Sequence, residues 1–234
     1  MAECHRSAAL PAAGLLLLFS STALAHSIGI HDADHVAASS GFRPMLFAYL
    51  GAKHMLTGLD HLLFLLAIIF VLRRLADVWR YATWFALGHS LTLVAGVMWS
   101  WPVNEHAVDA MIGLSIVYKA LDNLHAFETL ISWRPAPQAM VALFGLIHGL
   151  GLAARMQGIA LAPEGLLGNL LSFNLGVEVG QLLALALFLC VGSAVLAARR
   201  PAGSLWSATA VNFGLLSAGC LLTFEQLSAM AFSA

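Results

Sequence analysis

The sequence predicts an all-α, polytopic membrane bundle of about six transmembrane helices behind a cleaved signal peptide. Of its 234 residues, 60% are hydrophobic and 10% charged, and the mean hydropathy is +0.86; a soluble domain is about a quarter charged. The apolar residues gather into blocks near the roughly 20-residue length that crosses a bilayer. No block alternates as a transmembrane β-strand does, and backbone groups in lipid must be satisfied within the segment, which leaves helices. Eleven Lys+Arg against twelve Asp+Glu give a net charge of −1, which excludes a strongly basic nucleic-acid binder. Cys4, Cys190 and Cys220 are far apart and supply no disulfide framework, thiolate zinc site or iron–sulfur motif.

Residues 1–25 have a basic start at His5 and Arg6, a short apolar run from Gly14 to Phe19 and a small-residue end, Ala23-Leu24-Ala25. These are the three regions of a secretory signal peptide, with cleavage after Ala25. Residues 26–51 form an extracytoplasmic segment in which His26, His31 and His35, with Asp32 and Asp34, can capture a divalent ion; an ordinary polar tail accounts for them equally well. Residues 52–234 form the transmembrane domain, with spans expected at 52–72, 80–99, 106–123, 138–155, 166–198 and 204–224. The fifth block exceeds one crossing and implies tilt or an interfacial start. Arg73, Arg74, Arg80, Arg134, Arg199 and Arg200 fall in the loops that an exported N-terminus places inside; Arg43, Lys53 and Arg155 fall outside. The positive-inside rule therefore agrees with the leader, and both mature termini face outward.

Within this scaffold the informative residues are polar ones that lipid rejects. His54, Asp60 and His61 lie in HMLTGLDH, and on a continuous helix a spacing of seven sets the two imidazoles about two turns apart on one face. Imidazole and carboxylate are ligands for nickel, cobalt or zinc. His89 in FALGHSLTL and His148 in FGLIHGLGLA sit near the middle of their spans; a single intramembrane histidine also reads as a hydrogen-bonded packing residue. Asn174, Glu178 and Gln181, at i, i+4 and i+7 in FNLGVEVGQ, make a polar stripe, and a carboxylate at that depth must be protonated, paired or bound to a cation. Asp109, the deepest acidic residue at the outer end of the third span, is a further candidate.

GAKHMLTGLDHLLFLLAIIF, FALGHSLTLVAG, VDAMIGLSIVY, FGLIHGLGLA and FNLGVEVGQ, in that order, resemble the HupE/UreJ family, its second subfamily above all, across nearly all of the mature chain. The resemblance implies a permease of the bacterial inner membrane that carries nickel towards hydrogenase or urease maturation. The family's H-x5-D-H signature falls on His54, Asp60 and His61. A second signature, Phe-His-Gly followed by another His-Gly and a Glu, is only partly echoed by Phe144, His148 and Gly149, which leaves cobalt, zinc and copper beside nickel as cargo. The expected partners are the metal ion, the bilayer and metalloenzyme maturation proteins, with no nucleic acid and no organic cofactor. His54, Asp60, His61, His89, His148 and Glu178 are the expected ligands of a non-enzymatic importer, supported by Asp109, Asn174 and Gln181. Two other readings use the same residues: a non-transporting accessory protein for metalloenzyme maturation, and an intramembrane metal-dependent hydrolase.

Overall fold

The computed structural model describes residues 41–69, 75–131, 135–157, 163–198 and 204–233, all in helices and the short turns between them. The predicted leader and the histidines at 26, 31 and 35 lie outside the described residues.

Among the described residues eight helices follow in order: α1 (Pro44–Thr57), α2 (Leu59–Ile69), α3 (Leu75–Met98), α4 (Glu105–Asn123), α5 (Ala126–Ile131), α6 (Pro137–Gln157), α7 (Leu166–Ala198) and α8 (Ser204–Ser233). Local chemistry sets several of their starts. Pro44 stands in the first turn of α1, where its missing N–H costs nothing. The Asn104 side chain accepts the Ala107 N–H at 3.0 Å and caps α4. Among the described residues three helices are long and apolar enough to cross a membrane: α6, the Leu166–Val191 portion of α7 and the Ala208–Phe232 portion of α8. α3 and α4 also have the length, at 24 and 19 residues. They are more polar, and bury His89, Asp109 and Lys119.

The first apolar block differs from its expectation. The helix begins at Pro44 and is interrupted at Gly58, whose ψ of 108° is extended, so that α2 is a separate, short apolar helix. It carries Phe64, Leu65 and Ala67 into the middle of the bundle, all fully buried, and touches α4 and α7. Asn123 donates to the Ala67 carbonyl and to Asn212 Oδ1, both at 2.8 Å, tying α2, α4 and α8 together.

Helices pair by close backbone approach: α1 with α7, α3 with α6, and α4 with α8. On the α3–α6 seam a side chain at Gly88 would run into the Ala142 carbonyl, one at Gly145 into the Phe85 carbonyl and one at Gly149 into the His89 carbonyl. Small residues let helices meet in this way where lipid supplies no hydrophobic drive. Thr92 Oγ1 adds a hydrogen bond across the seam to the Leu146 carbonyl at 2.7 Å.

The polarity of the bundle is inverted relative to a water-soluble protein. Leu167, Leu171, Leu175, Val179, Leu183 and Leu187 form an exposed stripe along α7, a patch that water penalises and lipid accepts. Trp79 and Trp84 near one end of α3, and Trp99 and Trp101 just beyond the other, are exposed, as interfacial anchors are. Asp60, His61, His89 and His148 are each at most 3% exposed.

Candidate metal centre

The break at Gly58 builds the centre. Seven residues of unbroken helix would separate His54 from His61 by about 10 Å along the axis. The chain instead turns at Gly58, and the two ring centroids stand 4.9 Å apart, edge to face. The same-face expectation is thus replaced by a tighter arrangement with ligands on either side of a turn. The Gly58 N–H closes α1 on the His54 carbonyl at 2.9 Å, and the Gly58 carbonyl accepts the Leu62 N–H at 3.0 Å to open α2.

Glycine is required there for space. A Cβ at Gly58 would stand 2.8 Å from His61 Nδ1, 3.1 Å from Asp60 Oδ1 and 3.0 Å from the His54 carbonyl oxygen. The backbone at φ −70° and ψ 108° suits any residue, so Gly58→Ala should fold. It is expected to displace the Asp60–His61 pair and weaken metal binding by about 10- to 100-fold, as loss of a ligand's orienting partner does. A competition titration against a chromophoric chelator measures it; unchanged affinity would contradict this packing.

Around His61 and its neighbour Asp60 on α2 the other predicted residues assemble from four further helices, α1, α3, α6 and α7. His61 Nδ1 lies 3.0 Å from Asp60 Oδ1; a carboxylate accepts, so Nδ1 donates and Nε2 keeps its lone pair. His89 Nδ1 lies 3.3 Å from Asn174 Oδ1, and the same logic frees His89 Nε2. The buried Nε2 atoms of His54, His61 and His89 have no hydrogen-bond partner, and ligand atoms of these three residues all lie within 4.8 Å of one another. A second set, Asp60, His61 and His148, meets the same limit, with the His61 and His148 rings 4.8 Å apart. Buried nitrogen lone pairs without donors are costly. A divalent cation satisfies several at once, and a carboxylate or amide behind a ligating imidazole is the usual orienting arrangement.

Aromatic rings wall the cluster. Phe173 packs on His54 at 5.9 Å, Phe85 on His89 at 6.1 Å and on His148 at 5.2 Å, and Phe64 on His148 at 5.4 Å. They exclude water and lower the dielectric, which strengthens every charge interaction inside.

The remaining candidates divide. Asn174 joins the centre as the partner of His89. Gln181 is fully buried, and neither of its amide heteroatoms has a hydrogen-bond partner. Glu178 is half-buried on α7 and belongs to neither ligand set among the described residues. Asp109 is held in an ion pair with Arg155 across α4 and α6 and belongs to neither set among the described residues. The sequence reading missed Ser115, whose Oγ stands 3.5 Å from His148 Nε2, and the phenylalanine wall. Phe64, Phe85 and Phe173 look like ordinary apolar residues of their helices, and only tertiary packing reveals their role.

A family model described as HupE / UreJ protein matches residues 31–228. No curated protein and no solved structure matches the chain.

Proposed function

The chain belongs to the HupE / UreJ family, a family associated with nickel and cobalt transport or with urease and hydrogenase maturation, and from that premise we propose that it is a secondary permease importing a divalent transition metal ion, nickel first. One observation carries the reading: ligand nitrogens of His54, His61 and His89 lie within 4.8 Å of one another, and the buried Nε2 atoms of all three have no hydrogen-bond partner. Metal-sized openings in broken helices are how secondary transporters hold ions near the middle of a membrane. On this reading six spans follow a cleaved leader in the bacterial inner membrane, both mature termini face outward, and the chain is not an enzyme. The sequence contains no GxxxxGK[ST] motif, so the membrane potential, proton exchange or trapping inside the cell drives entry.

The test is element-by-element accumulation of nickel, cobalt, zinc and copper in cells lacking their own importers, comparing this chain with its Asp60→Asn variant at matched membrane abundance. Accumulation of one metal that the variant loses is the expected outcome and names the cargo. Folded, abundant protein that accumulates none would sink the importer and favour an accessory role, in which the chain co-purifies with a maturation partner.

A further inference from the structure

We infer that the cargo ion occupies two alternative positions that share His61, and passes between them by exchanging the other ligands around that one ring. The inference rests on the permease reading and deepens it. Ligand atoms of His54, His61 and His89 lie within 4.8 Å of one another, and so do those of Asp60, His61 and His148; among the described residues these are two sets and not a single cage of five. His61 stands between them, its ring 4.9 Å from His54 on α1 and 4.8 Å from His148 on α6. His89 is farther away, at 6.3 Å.

The two positions differ in charge. Three neutral imidazoles leave a divalent ion with its full charge, whereas Asp60 in the second set cancels half of it, a large difference in a medium of low dielectric. Asp60 therefore has two roles in turn. With the ion in the three-histidine position it orients His61 through Nδ1; in the other position it is itself a ligand. An ion that keeps one ligand while exchanging two is never bare inside the membrane, where a naked charge is prohibitive. Because the shared ring serves one position at a time, the chain holds one ion, not two.

Equilibrium dialysis of Co²⁺ against the purified full-length chain in detergent, with the visible ligand-field spectrum recorded at saturation, tests this. The wild type is expected to bind one Co²⁺ per chain. His89→Gln and His148→Gln should each still bind one, losing less than about tenfold in affinity and showing two different spectra, while His61→Gln loses more than about a hundredfold. Size-exclusion profiles check folding, and His148→Ala replaces His148→Gln if that variant aggregates. Two Co²⁺ per wild-type chain, or loss of binding in both the His89 and His148 variants, would overturn the two-position arrangement and leave the importer standing if uptake persists. No Co²⁺ bound by the folded wild type would overturn the arrangement together with the metal centre.

Discussion

His61→Ala is expected to abolish metal accumulation, with a fall of more than about a hundredfold in initial uptake rate at matched membrane abundance; loss of an orienting partner alone costs 10- to 100-fold, and a direct ligand costs more. Among the described residues His61 is the only one in both ligand sets, and its ring packs against His54, Phe85, His89 and His148. Removing it takes a ligand from each position and unties Asp60. Glu178→Gln provides the contrast. That carboxylate is half-buried and outside both sets, so its substitution should slow uptake far less. Retention of half the wild-type rate by the His61 variant, or equal loss in the Glu178 variant, would show that the ion takes another route.

The second large effect is structural. Gly145→Val is expected to prevent stable assembly of the α3–α6 pair, because even its Cβ would collide with the Phe85 carbonyl and main chain. Overpacking of a core side chain typically costs about 1–3 kcal/mol, occasionally more, and a clash of a Cβ with main-chain atoms cannot be relieved by a rotamer change. The collision lies one turn from His148 and at the residue whose ring stacks on His89, so metal binding should fail along with stability. The temperature at which half the monodisperse protein is lost, followed by size exclusion in detergent, should fall by many degrees. A variant as heat-resistant as the wild type would mean that the helices do not approach this closely.

Much of the architecture was legible because lipid imposes strong rules: apolar blocks of crossing length became α3, α4, α6, α7 and α8. The turn at Gly58 was not, since a glycine within an apolar run is compatible with an unbroken helix, and only the crowding of His61 and Asp60 against it shows why the chain must turn. Spacing relates residues on one helix, so His89 and His148 were visible as polar intrusions while their convergence on His61 was not. The stripe on α7 was legible only in part. At 100° per residue, Glu178 lies about 60° around the helix from Gln181, enough to leave Asn174 and Gln181 buried and Glu178 half out.

The turn at Gly58 has a further consequence, in the field it creates. Each helix end carries about half an elementary charge, negative at the C-terminus and positive at the N-terminus, and splitting one span brings one of each to the imidazoles. The negative end of α1 lies at the Gly58 turn between His54 and His61, while the positive end of α2 is covered by Asp60 in its first turn. The interior thus becomes attractive to cations although Asp60 is the only carboxylate in either ligand set among the described residues. Since that attraction grows with the charge of the visitor, it acts doubly on a divalent metal relative to the sodium and potassium ions that vastly outnumber it.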